Sequence, residues 1–302
     1  MAAVAHHMRW ASRADHAEAG VPLATATLVG AQRRAIELAA CARMRRRNGR
    51  PDVAIDDIAV CLQLGSDVAR EPGIISSMIG IAVAGIAHDE MRAFALDPHV
   101  EAAHLRGLRA IMDAFDRQFP RAADAFEAEG LMYVRHLRGI ADGRVPGADL
   151  TKQAWRHGLS VGRYIEETSL HADMLVDTLR RAEAGPFRLA DEAIRAVHTS
   201  TVVSRLGGSD LAAMFEGMLP AHRSFRELRA RQALLRAAIR VREGAGPADA
   251  DWPVDPFTGQ PIRLRVETRA VVLWSPGPRG RDTGEGDWRV GSELDIVLRV
   301  PR

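Results

Sequence analysis

The sequence predicts an α+β fold, in which a body of α-helical hairpins is followed by a small antiparallel three-stranded β-meander packed on a helix. Two observations support this prediction. Apolar residues recur with helical spacing between about residues 22 and 242, whereas beyond residue 252 Pro and Gly separate short segments of alternating apolar and polar residues. We therefore predict a polar segment over residues 1–22, a helical domain over 23–222, and a module of one helix plus the β-meander over 223–302.

The clearest predicted helix covers residues 97–120. Asp97 is suited to the N-cap, Pro98 to the first turn, and Pro120 ends the helix. One apolar stripe runs along it, formed by Leu105, Leu108, Met112, Phe115 and Phe119. The same pattern predicts helices over residues 23–47, 54–70, 74–96, 151–184, 189–206 and 225–242. It also predicts one that carries Phe126, Tyr133, Val134, Leu137 and Ile140 and ends in the loop of Gly143, Pro146 and Gly147.

Residues 74–87 form the longest apolar run, and 14 residues are fewer than the roughly 20 that a membrane-spanning helix needs. We therefore predict a buried core helix and no membrane span. Residues 1–20 carry several charges and no apolar core, so no signal peptide is predicted. The chain as given is expected to be cytoplasmic, and a native start further upstream would make it periplasmic or membrane-anchored.

Charge gives little support to nucleic-acid binding. The formal net charge is only +2, and the basic cluster of Arg43, Arg45, Arg46, Arg47 and Arg50 lacks interleaved aromatic residues. The cluster lies where a helix is predicted to end at Asn48-Gly49, with Pro51 just beyond, and cations are favourable in the last turn of a helix. We expect it to stabilise that helix, and we expect no nucleic-acid partner.

Cys41 and Cys61 lie at equal distances in sequence from Pro51, so the two residues could face each other in a helical hairpin. Both also fall on apolar stripes. Two buried free thiols are the favoured interpretation, and a disulfide is the alternative if the protein is exported and the Cα atoms lie within about 7 Å.

Catalytic motifs are weak. Gly158 to Gly162 match G-x-S-x-G around Ser160, but that motif needs a preceding strand, and residues 151–157 are helix-like. Glu167 and His171 share a helix face without forming a di-iron signature. The other histidines considered fall on separate predicted helices: His88, His136, His157 and His198. We assign no catalytic, cofactor or metal residue.

The C-terminal block carries several consistent signals. Asp255-Pro256 followed by Gly259 predicts a turn, and Ile262, Leu264 and Val266 alternate with Arg263 and Arg265 as in a half-buried strand. Residues 270–274 and 295–300 supply two further strands. The preceding helix offers an apolar stripe to cover one face of this sheet, formed by Phe225, Leu228, Leu235 and Ile239.

Residues 255–265 (DPFTGQPIRLR) and 273–282 (LWSPGPRGRD) resemble the signature at the C-terminal end of the major pseudopilin of type II secretion. Most of the chain, notably residues 61–75 and 79–82, is similar to uncharacterised myxobacterial and planctomycete proteins in which such a meander follows a long helical region. The resemblance implies the helix-plus-meander fold. The second group brings no known activity.

The pseudopilin resemblance has two limits. Pseudopilins begin with a hydrophobic anchor helix, and the sequence as given predicts none, so we do not expect assembly into a pilus. Their acidic loop before the last strand binds calcium, and the matching positions here are Asp282, Glu285, Asp287 and Asp295. Arg279 stands where the usual Asp would be, and a cation opposes Ca²⁺ binding. A Ca²⁺ site and a solvated loop remain alternatives.

The function predicted from these observations is a non-enzymatic structural or protein-interaction scaffold with a protein partner, associated with the cell envelope or with secretion. The alternative is a helical enzyme or metal-binding protein with a site between helices. A cleft with converging His, Asp and Glu side chains would favour the second, whereas an apolar groove or an exposed patch would favour the first.

Overall fold

The computed structural model describes residues 25–146, 149–156, 158–183, 185, 187–198, 218–279, 282–288 and 295–301. The α+β fold class is confirmed, with helices followed by a small sheet. The helices are α1 (Thr25–Arg47), α2 (Pro51–Ala69), α3 (Ile74–Ala95), α4 (Ala102–Gln118), α5 (Ala122–Ala141), α6 (Leu150–Arg156), α7 (Val161–Glu183), α8 (Phe187–His198) and α9 (Met218–Arg242). The predicted segment over 1–22 and the predicted helical residues 199–206 lie outside the described residues.

The first three helices pack in sequence order, and the crossing of α2 and α3 is the tightest contact. A Cβ atom built on Gly80 would lie 2.5 Å from the Ala69 Cβ and 2.6 Å from the Gly65 carbonyl oxygen. Only glycine therefore fits at this position. Because α3 packs against α1, α2, α4, α5 and α9, it is the central helix of the body.

The helix predicted over 97–120 begins later than expected. α4 starts at Ala102, and Asp97 belongs to the preceding turn, where its Oδ1 accepts a hydrogen bond from the His99 amide at 3.0 Å. Arg242 holds this turn by donating to the carbonyls of Asp97 and Val100 at 2.7 and 2.8 Å. The predicted capping role of Asp97 was therefore wrong, because the helix begins at Ala102 and Glu101 is its N-cap residue. The apolar stripe is buried as predicted.

The helix predicted over 151–184 is interrupted. α6 ends at Arg156, and Gly158 adopts a φ of +68°, a left-handed conformation that favours glycine. Ser160 then begins α7, because its Oγ accepts a hydrogen bond from the Arg163 amide at 3.3 Å and its carbonyl accepts one from Tyr164 at 2.9 Å. The prediction missed the break because the helical pattern on both sides hid the turn.

The sheet has one more strand than predicted. β1 (Arg263–Val266), β2 (Ala270–Ser275) and β4 (Asp295–Pro301) are antiparallel, and β3 (Gly286–Asp287) adds to β4 in parallel, in the order β1-β2-β4-β3. The purely antiparallel three-stranded meander is therefore corrected to a mixed four-stranded sheet. A Cβ on Gly286 would lie 2.0 Å from the Asp295 carbonyl oxygen, so the parallel pairing requires glycine at this position.

The sheet packs on α9 through β2 and β4, as the sequence predicted. The stripe of Phe225, Leu228, Leu235 and Ile239 is buried. One continuous hydrophobic cluster extends from α1 to β4. The predicted boundary between residues 222 and 223 falls inside α9, and the sheet shares this cluster with the helices.

Among the helices described, α3 is the one long and apolar enough to cross a membrane, with half of its most apolar stretch buried inside the fold. The residues it buries include His88 and Glu90. Since length and composition do not distinguish a core helix from a membrane span, the absence of a span stays a prediction.

Candidate functional site

A groove of about 330 Å³ lies between α3 and α9. Small residues line the groove on both helices, Ala82 and Gly85 on α3 and Ser224 on α9. Its apolar lining consists of Ile81, Ala82, Gly85, Ile86 and Leu228, and its polar lining consists of Asp89, Ser224, Glu227 and Arg231. The α9 residues are spaced at i, i+3, i+4 and i+7, so they form one face of the helix.

Trp288 belongs to the C-terminal module and packs beside this groove. Its indole is almost fully buried and donates a hydrogen bond from Nε1 to the Asp89 Oδ1 at 2.6 Å. The Arg92 and Arg231 guanidinium carbons lie 5.7 and 5.8 Å from the ring centroid. These distances are typical of cation–π contacts, so the indole joins the sheet end of the molecule to both helices.

The charged groups of the groove differ in whether they have hydrogen-bond partners within the described part of the protein. Asp89 accepts the indole hydrogen bond, and Glu227 accepts one from the Arg223 Nε at 2.9 Å. Burial raises the pKa of Glu227, and Arg223 opposes that rise. Arg231 makes no hydrogen bond or ion pair with another described residue, and its Nε is buried. Burial lowers the pKa of Arg231, although Asp89 and Glu227 counteract this effect.

Two histidines are buried near this region without hydrogen-bond partners for their ring nitrogens among the described residues, His88 on α3 and His222 on α9. Burial, together with Arg231, Arg229 and Arg236, lowers the pKa of His88 to about 3. Burial and Arg226 lower the pKa of His222 to about 4. Both imidazoles are therefore neutral near pH 7 and act as packing groups.

A second depression, of about 270 Å³, lies between α9 and the turn at Pro253 to Pro256. Its charged residues are already paired, because Arg229 binds Asp116 and Arg236 contacts both Asp113 and Asp116. These ion pairs connect α9 to α4.

The arginine cluster at the end of α1 is bound to neighbouring helices. Arg43 pairs with the buried Glu90 and Arg45 with the buried Asp57, and Arg46 contacts Asp97 at 2.7 Å. Arg45, Arg46 and Arg47 lie in the last turn of α1, as predicted. Three of the five arginines thus have structural roles, and the prediction of no nucleic-acid partner stays a prediction.

Cys41 and Cys61 are both free. Cys61 is buried, and its Sγ lies 3.9 Å from the carbonyl oxygen of Ala35 and 3.8 Å from that of Val83. Burial raises the pKa of the Cys61 thiol to about 12. Symmetry about Pro51 predicted that Cys61 would face Cys41. Its Sγ contacts Ala35 instead, which lies earlier on α1.

The weak catalytic motifs receive structural explanations. Ser160 begins α7, and α6, not a strand, precedes it, so the requirements of a nucleophile elbow are not met. Glu167 accepts a hydrogen bond from Arg163 at 3.0 Å, whereas His171 is buried. His88, His136 and His198 lie on α3, α5 and α8, and His157 lies outside the described residues. The described parts of the chain contain no group of three or more His, Cys, Asp and Glu residues that could hold a metal ion.

The carboxylates of the predicted calcium loop have other partners. Asp282 accepts hydrogen bonds from Trp274 Nε1 at 2.8 Å and from Arg263 Nε at 3.2 Å. The Asp295 Oδ2 accepts three, from the Thr283 amide at 2.8 Å, the Thr283 Oγ1 at 3.1 Å and the Gly284 amide at 2.7 Å. Glu285 and Asp287 are exposed. The Asp295 Oδ1 is buried without a hydrogen-bond partner among the described residues, so protein donors occupy only part of the oxygens of this loop. Calcium binding stays a prediction.

Sequence reasoning missed the most informative residues of the groove. Arg231 was one of many arginines on a predicted helix, and Trp288 followed an unassigned glycine-rich loop. Their proximity depends on how the sheet packs on α9. The alternating apolar pattern of β2 and β4 indicated that a sheet forms, but not which helix its last loop would contact.

Comparison of the chain with family models, with curated proteins and with solved structures found no match.

Proposed function

We propose that the protein is a non-enzymatic scaffold that binds a protein partner through a surface on α5, α6 and α7. The supporting observation is that each of these three helices carries exposed large apolar side chains. The four residues are here termed the α5–α7 surface: Leu131, Trp155, Leu170 and Met174. Trp155 is 78% exposed. Tryptophan is enriched among the residues that dominate the energy of protein interfaces, so its exposure on a packed helix favours a binding role.

The helices that carry this surface form a firm support. α6 packs against both α5 and α7, and the three share a small cluster of buried apolar residues: Val134, Leu137, Leu150, Ala154, Tyr164 and Ile165. Leu170 and Met174 are one turn apart on α7 and lie on the same face of that helix. A rigid surface of this kind lowers the entropic cost of binding.

Two half-buried carboxylates of this body, Glu129 and Glu183, have structural partners, which also supports a scaffold. The Glu129 Oε2 accepts a hydrogen bond from the Ile74 amide at the start of α3, at 2.9 Å. The Glu183 Oε1 accepts one from the Ala123 amide at the start of α5, at 2.9 Å. Each carboxylate satisfies a free amide at the beginning of another helix.

Photocrosslinking in cells of the source organism tests the partner. A photoreactive phenylalanine analogue would replace Trp155 or, separately, Leu170, and the control would carry it at Ile36, an equally exposed apolar residue on α1. We expect the same discrete adduct from residues 155 and 170 and none from 36. Leu170→Glu should abolish the adduct formed from residue 155. Identical adducts from all three positions, or none from any, would overturn the proposal.

The pseudopilin resemblance supports the cell envelope as the site of action. Fractionation of the source cells, followed by amino-terminal sequencing of the endogenous protein, tests this part separately. Recovery in the membrane or periplasm would support it. A cytosolic protein that begins at Met1 would restrict the resemblance to the fold.

A further inference from the structure

The groove between α3 and α9 has features of a ligand site that the α5–α7 surface does not explain. Among its polar groups, Asp89, Ser224 and Glu227 each have a hydrogen-bond partner within the protein. Arg231 stands apart, because it has no such partner among the described residues. Within the described part of the chain, the groove therefore presents one cation without a hydrogen-bonded partner.

The position of Arg231 favours capture of an anion. Its guanidinium carbon lies 5.8 Å from the Trp288 ring centroid, and its Nη1 lies 3.4 Å from the position that a Cβ on Gly85 would occupy. An arginine stays protonated in proteins and carries five N–H donors in a planar fork. Since a partly buried charge without a hydrogen-bonded partner is costly, an anion on this fork would satisfy donors that the protein leaves free.

The rest of the groove is suited to hydrocarbon. Ile81, Ile86 and Leu228 line it, and the small residues Ala82 and Gly85 leave space beside them. Its volume of about 330 Å³ lies near the lower end of the range typical of small-ligand pockets, about 300–1,000 Å³. A specific protein interface would need a much larger area, so a small molecule fits better than a protein partner.

The neighbouring carboxylates restrict the charge of the ligand. Asp89 and Glu227 both lie close enough to influence Arg231 electrostatically. Both carboxylates repel any anion, and this repulsion is twice as large for a dianion such as phosphate as for a monoanion, whose single charge the Arg231 guanidinium can balance. The chemistry therefore favours one carboxylate attached to a short apolar chain.

We propose that this groove binds a small organic monocarboxylate, with its carboxylate paired to Arg231 and its aliphatic chain against Ile81, Ile86 and Leu228. The site is separate from the α5–α7 surface, so either proposal can fail without affecting the other.

Isothermal titration calorimetry of the full chain tests the site, with octanoate as the probe and octanol and octylammonium as uncharged and oppositely charged analogues. We expect saturable octanoate binding with one site per chain. Octanol should bind at least about tenfold more weakly, because it lacks the charge-assisted hydrogen bonds to Arg231. Octylammonium should not bind.

Three variants assign the binding to the groove. Arg231→Met should remove the preference for octanoate over octanol, and Gly85→Leu should abolish binding of both by filling the space beside Arg231. Arg135→Met, at an exposed arginine on α5, is the matched control and should bind octanoate like the wild type. Melting curves would verify that each variant is folded. Absence of octanoate binding, equal binding of octanol, or unchanged binding by folded Gly85→Leu would each overturn the proposal.

Discussion

Buried polar groups are accommodated differently in the helical body, α1 to α9, and in the C-terminal module, residues 252–301. The body buries His88 and His222 with no hydrogen-bond partners for their ring nitrogens among the described residues. The module buries Asp255 and Asp295 completely, and each accepts three hydrogen bonds, although the Asp295 Oδ1 has no partner among the described residues. An imidazole can enter an apolar interior in its neutral form, whereas a carboxylate needs donors around it.

The two regions also differ in what holds their elements together. In the body, small residues let α2 and α3 approach closely, and ion pairs join the helices. In the module, Asp255 and Asp295 each bind the amide and hydroxyl of a nearby threonine, which fixes the turns that align the strands. The helices therefore depend on shape complementarity, and the sheet depends on a few buried hydrogen-bond acceptors.

The largest expected effect is the response of the body to acid. The pKa of His88 is about 3 in the folded chain against an ordinary value of 6.5, so below pH 6.5 the unfolded chain binds a proton that the folded chain does not. Stability is therefore lost as the pH falls, by about 3 kcal/mol at pH 4 and by more at lower pH. His88→Leu should remove this contribution.

Urea unfolding of the wild type and of His88→Leu at several pH values measures that contribution as a difference. The difference is needed because other groups also titrate. His222 acts in the same direction down to about pH 4, whereas the raised pKa values of Asp57, Glu183 and Glu227 act in the opposite direction. Parallel pH profiles for the two proteins would show that His88 is not buried as a neutral group.

The next largest expected effect concerns the hydrogen bonds that Asp295 accepts in the module. Asp295→Ala removes the acceptor of three hydrogen bonds and leaves the Thr283 and Gly284 amides without their partner, so we expect a loss of about 3 kcal/mol. Asp287→Ala is the control, because Asp287 is exposed and, among the residues that the structure describes, accepts a hydrogen bond only from the adjacent Trp288 amide. It should change the free energy of unfolding by less than about 0.5 kcal/mol. Similar losses in both variants would contradict the role given to Asp295.

These two regions also differ in what the sequence could predict. Apolar spacing identified most helices and three strands, because periodicity depends on which face is buried. The break at Gly158 and the parallel β3 at Gly286 escaped detection, because each depends on a single glycine whose requirement appears only when the backbone is placed. The groove was beyond prediction, since Arg231, Gly85 and Trp288 come together only through tertiary packing.

A smaller expected effect on stability distinguishes a closely packed glycine of the body from one that has open space around it. Gly80→Ala would place a methyl group against Ala69 and the Gly65 carbonyl, so we expect α2 and α3 to move apart at a cost of about 2 kcal/mol. Gly30→Ala on α1 is the same change where nothing lies within 4 Å of the new Cβ. It should stabilise the protein by about 0.5–1 kcal/mol through helix propensity. Thermal melts would measure both, and equal signs would refute the packing argument.

The smallest expected effect concerns calcium and the acidic loop of the module. Asp282 and the Asp295 Oδ2 already accept hydrogen bonds from protein donors. A Ca²⁺ ion would need about six to eight oxygen ligands, and binding these two carboxylates would break their hydrogen bonds. We therefore expect the same melting temperature in Ca²⁺ and in chelator. A higher melting temperature in Ca²⁺ that Asp282→Ala abolishes would reverse this expectation. It would show that the loop rearranges around the ion as the pseudopilin resemblance implies, because the hydrogen bonds to Trp274 and Arg263 would have to break first.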